Sequence, residues 1–374
     1  MADRPRAAIL GASGFIGSRL VESLVLRNLA EVRPIVRSFK GMARLARFDL
    51  DCRVADATDR VALETQLAGC NVLFHCVLGG RETILKSAES AYLAAAKAGV
   101  RRLIYLSSAV VHGYDPEPAT HDDSKLVAKQ ACEYNVSKVM AEHQLRRLRE
   151  DGAVEVVTLR PSIVFGPRSQ WWSAQIATDL LTGRAYLIDG GSGICNTVYV
   201  DNLVQAMWQS AISDRAANQD FIITDGERVT WGELYGAVGS AMGIDIKGVP
   251  SITSKDALEY LRSARQIQLR DRIAGYRLAR AVREILPPSV LERIKQPWNV
   301  LPAPNGHSVS PSGNGSPIPA VEAEMFHLQR CRYVLPIRKA REVLRYEPKV
   351  TFREGCRRTG EWLRFAFGMD VHKA

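Results

Sequence analysis

The chain has 374 residues, 46% hydrophobic and 24% charged, enough apolar material for a full α/β core and a smaller second lobe. No run is long and apolar enough for a membrane span, and "MADRPRAAILGASG" enters a strand and turn at once, so secretion and membrane insertion are not expected and a cytoplasmic location is. The 50 Lys and Arg against 40 Asp and Glu leave a formal charge of +10, which favours anionic partners without naming one. Short β-rich runs follow: "RAAIL" (6–10), "EVRPIV" (31–36), "CRVAD" (52–56), "NVLFHCV" (71–77), "RLIYLSS" (102–108) and "EVVTLRP" (155–161). Between them lie helix-period stretches such as "GSRLVESLVLRNL", "SAESAYLAAAKAG" and "EYNVSKVMAEHQLRRLRE". Strands apolar on both faces and separated by helices predict a parallel sheet covered on both sides. Pro34 is discordant, because proline is unwelcome inside a central strand, and the second strand is expected to be short. Beyond residue 165 the alternation becomes irregular: "TVYVDNLVQAMWQSAI", "DFIITDG" and a helix entered by the capping box "TWGE" at 230–233. A second capping box, "TFRE" at 351–354, opens a last amphipathic helix.

The stretch "AAILGASGFIGSRLVESL" puts Gly11, Gly14 and Gly17 between the first strand and the first helix. The first glycine permits a tight turn, the second lets backbone approach a pyrophosphate, and the third lets helix and strand pack closely. Strand, glycines, helix and second strand in that order predict dinucleotide binding. At the end of the second strand, where an acid would select the ribose 2′-hydroxyl, the chain has Arg37 and then Ser38. A cation there suits a 2′-phosphate, so NADP is expected over NAD. Asp56, in "VADATD", is placed to accept from the adenine amino group, or simply to cap the helix that follows.

In "EYNVSK", Tyr134 and Lys138 lie four apart and project from one helical face. A free tyrosine is a poor base at neutral pH, with a pKa of about 10, and a neighbouring ammonium is expected to lower it. That spacing recurs by chance. Ser108 decides the matter, because it ends the strand expected beside the cofactor cleft, where its hydroxyl can hold a substrate oxygen next to Tyr134.

Together these residues resemble the short-chain dehydrogenase/reductase superfamily in its extended, NAD-dependent epimerase/dehydratase-like branch. "GASGFIG" resembles the branch's GxxGxxG loop, "VLFHCV" its HxA segment, "SSAVVHG" its SSxxVYG strand and "YNVSK" its YxxxK. "LRPSIVFGP" resembles RPxxVYGP, "VYVDNLVQA" resembles HVDDxxxA, and "AREVLRYEPKVTFREG" the usual C-terminal segment; only 244–330 is poorly covered. The resemblance implies that Ser108 polarises the substrate oxygen, that Tyr134 exchanges its proton, and that Lys138 binds the nicotinamide ribose and depresses the Tyr134 pKa. It also implies cofactor contacts from Phe15, Ile16, Ala57, Pro161 and Ile163 within the matching segments. Sugar-nucleotide 4,6-dehydratases carry an Asp-Glu pair after the serine or threonine, whereas Ala109 and Val110 follow Ser108 here, so dehydration is not expected. His112 stands where the branch usually has tyrosine, and Ser162 where many nucleotide-sugar enzymes have asparagine. His112 is expected to be a packed histidine.

The expected architecture is a Rossmann-type doubly wound parallel sheet with a smaller C-terminal substrate lobe. Its domains are 1–165, with elements returning from 195–225, and 166–374, with 244–330 a helical insertion and flexible loop. The expected activity is hydride transfer at a secondary alcohol or ketone of a medium-sized substrate; the alternatives are nucleotide-sugar epimerisation and a cofactor-binding protein without turnover. A small molecule, not nucleic acid, is the expected partner, and a homodimer fits the same reading. The Arg-rich stretch 256–297 and the Pro/Gly/Ser-rich stretch 301–320 raise two readings: solvated padding, or a basic lid that touches an anionic membrane surface. Seven scattered cysteines, with no CxxC pair and no Cys/His spacing suited to a metal, predict reduced thiols and no metal site.

Overall fold

The computed structural model describes residues 4–266 and 320–369. Seven parallel strands form one sheet in the order β10-β6-β5-β4-β1-β2-β3. They are β1 (Arg6–Leu10), β2 (Glu31–Val36), β3 (Arg53–Val54), β4 (Val72–His75), β5 (Arg102–Leu106), β6 (Glu155–Pro161) and β10 (Asp220–Ile223). The order reverses at β1 and β4, so the crevice at their carboxyl ends is the place where such sheets bind ligands. Alternate residues feed two cores. Ala7, Ile9, Ile104, Leu106, Val157 and Leu159 face one side, and Ala8, Leu10, Leu103, Tyr105 and Val156 the other. Helices α1 (Phe15–Leu26) and α6 (Val200–Ile212) cover the first side; α2 (Arg60–Leu67), α3 (Arg81–Ala98) and α4 (Glu133–Leu148) cover the second. Burial on both faces explains why these strands read as continuous apolar runs.

Pro34 lies inside β2 after all, in register with Ile9. The Ile35 carbonyl accepts from Gly11 N and faces β1, so the alternate residue, Pro34, faces outward; β3 pairs only with Ile35 and Val36. The missing donor therefore breaks no ladder bond. Arg102, fully buried in β5, donates to the carbonyls of Ser210, Ala211 and Ser213 at 2.9, 3.0 and 2.8 Å and to Glu155 at 2.7 Å. A cation thus closes the carboxyl end of α6 and fixes that helix under the sheet.

A separate core forms around Ile163, Ile176, Leu187, Trp231, Leu234 and Leu363 and makes a smaller lobe, whereas the helix Arg338–Leu344 packs on the sheet-side core through Ala340 and Leu344. The strand pairs β7 (Ile163–Phe165) with β9 (Thr197–Tyr199) and β8 (Leu187–Ile188) with β11 (Ser251–Ile252) stand beside α5 (Gln175–Leu181) and α7 (Trp231–Ala241). Thr230 and Glu233 form the expected reciprocal capping box of α7. At the final helix, Phe352–Ala366, only half of the expected box forms: Thr351 caps the Glu354 N–H, but the Glu354 carboxylate turns to Arg357 and Arg358. Residues 254–266 are helical, and Ala257, Leu258 and Leu261 pack on Tyr186, Ile188 and Phe326. Most of the Arg-rich stretch and nearly all of 301–320 lie outside the described residues, and with them the proposed lid.

Candidate active site

The glycine loop sits at the carboxyl end of β1. Gly11 has φ +81°, and a Cβ there would stand 2.7 Å from the Cys76 carbonyl oxygen. A Cβ on Gly17 would enter the space of the Gly11 carbonyl oxygen, so α1 can pack on the loop only with glycine there. Gly14, the N-cap of α1, differs: its Cβ would meet only the Gly11 oxygen, at 3.3 Å. Its outer face is open for a phosphate to approach the helix start. Phe15 and Ile16 are half-buried against the core behind the loop.

Arg37 and Ser38 are exposed at the carboxyl end of β2, and Ser38 precedes the short 3₁₀ turn Phe39–Arg44 without a side-chain cap bond. That turn brings Arg44 back to donate to the Ser13 carbonyl in the glycine loop at 3.1 Å. Sequence reasoning missed Arg44; its only signal is the basic run "RSFKGMAR". Asp56 accepts from Thr58 N at 2.8 Å and Thr58 Oγ1 at 2.7 Å, and these bonds, with the charges of Arg37 and Lys86, hold its carboxyl below the usual range. The cap of α2 is Asp59, not Asp56. Ala57, beside Asp56, is half-buried. Pro161 ends β6 in register with Ile223, whereas Ile163 starts β7 and packs in the core of the smaller lobe.

At the end of β5 the two serines diverge. Ser107 donates to Glu142 Oε1 at 2.6 Å, inside the protein. Ser108 caps the turn Ala109–His112 and faces the Tyr134 phenol. Tyr134 and Lys138 lie on α4, and the Lys138 ammonium is 5.8 Å from the Tyr134 ring centroid and 5.0 Å from that of Tyr105. Lys138 Nζ donates to the Leu106 carbonyl at 2.7 Å. Sheet edge and helix thus bring together all three residues that the sequence selects.

Their electrostatics depart from the expectation. Burial pushes the Tyr134 phenol up to about 12, opposed by hydrogen bonding from Ser108. Burial also pushes Lys138 down to about 8, against the charge of Glu142. For both groups the cost of removing water is the largest influence. Beside them, burial pushes His75 down to about 3, and its Nε2 lies 3.1 Å from Ser87 Oγ. His112 is buried, is pushed down to about 4, and has its Nε2 3.3 Å from Arg160 Nη1. A neutral, packed histidine fits that environment. On the outer side of the cleft, Tyr114 stacks on His327 at 6.2 Å between centroids, and Glu324 Oε2 lies 4.0 Å from Cys132 Sγ. The helix Ala323–Gln329 therefore returns to the mouth of the site from the segment that the sequence resemblance covers poorly.

A doubly wound sheet, a glycine loop at its switch point and a Ser-Tyr-Lys cluster at the same edge define an enzyme of the extended short-chain dehydrogenase/reductase class, dependent on NAD or NADP. The chain belongs to the NAD dependent epimerase/dehydratase family, whose model matches residues 7–223. It is 28% identical over 256 residues to a UDP-glucose 4-epimerase of Vibrio cholerae, covering 64% of this chain and 76% of that one. It is 26% identical over 234 residues to a 4-hydroxy-2-methyl-3-oxo-4-farnesyl-3,4-dihydroquinoline-1-oxide ketoreductase of Stigmatella aurantiaca, covering 60% of this chain and 69% of the relative. The fold is similar to that of the dTDP-glucose 4,6-dehydratase DesIV of Streptomyces venezuelae, with a TM-score of 0.68 at 20% identity over 97% of this chain and 98% of that one. Among the described residues no helix is long and apolar enough to cross a membrane.

Proposed function

We propose that the chain reduces a ketone, or oxidises the corresponding secondary alcohol, on a medium-sized substrate. The observation that carries this reading is the meeting of Ser108, Tyr134 and Lys138 at the same carboxyl edge of the sheet as the open backbone of Gly14. When bound, NAD(P) supplies or accepts the hydride. Ser108 holds the substrate oxygen. Tyr134, kept protonated by burial, gives its proton to that oxygen in reduction and takes it back in oxidation. The Lys138 ammonium, anchored at the Leu106 carbonyl, keeps its other protons for the cofactor ribose and favours the phenolate once the proton has left. Neither Ala109 nor Val110 offers a carboxylate for water elimination.

The exposed cations Arg37 and Arg44 support a preference for NADP. Phe15, Ile16, Asp56, Ala57 and Pro161 are the proposed further cofactor contacts, and the ketoreductase relative supports net reduction. The epimerase relative favours a second reading, in which the same groups return the hydride to the opposite face. Seven free thiols support a reducing, cytoplasmic location; a homodimer, checked by light scattering, completes the proposal. The test is incubation with NADPH or NADH and a panel of ketones, against UDP-glucose with NAD. Net cofactor oxidation with a ketone is expected. Formation of UDP-galactose without net change in the cofactor would move the assignment to the epimerase.

A further inference from the structure

Glu142 lies one helical turn beyond Lys138 on α4 and is 1% exposed. Its carboxylate accepts from Ser107 Oγ at 2.6 Å and from Arg160 Nε and Nη2 at 3.0 and 2.7 Å. Arg160, fully buried on β6, also donates to Asp220 of β10 at 3.0 Å and to the carbonyl of Asp122, in the loop between β5 and α4. Arg146 closes the ring, 3.3 Å from Glu142 and 2.6 Å from Asp220. A buried network of this kind contributes little net stability over well-packed apolar groups, because desolvation offsets the attraction. Its placement needs another reason.

That reason is geometric first. Ser107 and Ser108 are neighbours on one chain, and each faces a different residue of α4: Ser107 meets Glu142 and Ser108 meets Tyr134. With Arg160 gripping Glu142 from β6, the helix is held against both strands two turns from the reacting phenol. The second reason is charge. The Lys138 ammonium is enclosed by His75 of β4 and Cys76 just after it, Tyr105 of β5, and Tyr134 and Glu142 of α4. Of these, Glu142 most strongly opposes the loss of its proton, because burial keeps the Cys76 thiol neutral, pushed up to about 12.

Resting on the reading of Tyr134 and Lys138 above, we propose that Glu142 is a positioning residue: gripped by Arg160 and Ser107, it sets α4 against β5 so that Tyr134 meets Ser108, and it supplies the buried counter-charge of the Lys138 ammonium. Glu142→Gln removes the charge and keeps the shape, Glu142→Asp keeps the charge and shortens the reach, and Ser107→Ala removes one strut and keeps the charge.

The first readout needs no substrate. The Lys138 titration is followed by NMR in full-length protein carrying ¹⁵N-labelled lysine side chains, with Lys138→Arg as the assignment control. Proton affinity should fall about tenfold or more in Glu142→Gln, return most of the way in Glu142→Asp, and stay within about threefold of wild type in Ser107→Ala. The second readout uses whichever ketone the wild type reduces: kcat should fall at least about tenfold in Glu142→Gln and several-fold in Ser107→Ala, with KM within about threefold. A folded Glu142→Gln protein with wild-type Lys138 titration and kcat overturns the proposal. If that variant does not fold, an unshifted kcat in both Ser107→Ala and Glu142→Asp overturns it instead. Failure of the hydride-transfer reading shows separately, as no turnover in the wild type with an intact difference in titration.

Discussion

Ser107 and Ser108, adjacent at the end of β5, face α4 at two points: the first donates to Glu142 and the second stands at the Tyr134 phenol. One hydroxyl is spent inside the protein, and the other is the one proposed to hold a substrate oxygen. Replacing Tyr134 by phenylalanine removes the proton donor and little surface, so turnover should fall by about 10² to 10⁴ while cofactor affinity stays within a few-fold. Steady-state kinetics with cofactor titration in parallel check this. Wild-type rates in Tyr134→Phe would remove Tyr134 from the reaction.

The buried His75 gives stability a pH dependence. Its folded-state pKa of about 3 lies below its ordinary value, so between about 6.5 and 3 the unfolded chain binds a proton that the fold refuses. Stability should therefore fall as pH drops through that window. Asp122 and Asp225, whose carboxyls burial pushes up, act in the opposite sense, so the total slope does not isolate the histidine. Comparison with His75→Gln does. Between pH 7 and pH 5 the wild type should lose up to about 2 kcal/mol more than the variant, read from urea midpoints. Equal losses would place a charged His75 in the fold.

What the sequence made legible follows from short-range patterns. The strands could be read because both of their faces are buried, and the meeting of Ser108, Tyr134 and Lys138 because each sits at a fixed offset from an element end. Pro34 misled because the strand's neighbour, β3, covers only its last two residues. The Tyr134 pKa was misjudged because spacing reports the ammonium and says nothing of the water removed around it. Glu142 and Arg160 were invisible for a related reason: a glutamate on a charged helix and an arginine in a strand look solvated until folding brings them together across 18 residues. The second capping box failed in part because Arg357 and Arg358 compete for Glu354.

Two glycines of one loop should fail in different ways. A Cβ on Gly17 meets only backbone, including Gly11 C at 3.0 Å and Ala12 Cα at 3.1 Å, and none of those atoms can turn aside. Gly17→Ala should cost about 2 to 4 kcal/mol of stability, seen by denaturant titration. Gly14→Ala meets a single oxygen at 3.3 Å and should fold, yet its methyl group occupies the face left open for phosphate. Cofactor affinity in Gly14→Ala should drop at least about tenfold with stability nearly unchanged. If Gly14→Ala binds NAD(P) normally, the pyrophosphate does not lie over that face.

The proposed preference for NADP rests on the carboxyl end of β2. Arg37 is exposed there in the position from which an acid would take the ribose hydroxyls, and Arg44 returns to the same loop through the Ser13 carbonyl. Across from them Asp56 is committed to Thr58, so its charge is partly spent within its own turn. A 2′-phosphate would meet two guanidinium groups and one partly occupied carboxylate, and each charge-assisted bond to it contributes about 1.5 to 3 kcal/mol. Arg37→Asp should therefore reverse the preference, with NADPH affinity falling about tenfold to a hundredfold and NADH affinity holding or rising. Arg44→Ala should weaken NADPH alone and by less, because Arg44 is also held by the loop. Fluorescence titration of both cofactors against wild type and the two variants decides it: a wild type that already prefers NADH would mean that Arg37 points into solvent and that the ribose is read elsewhere.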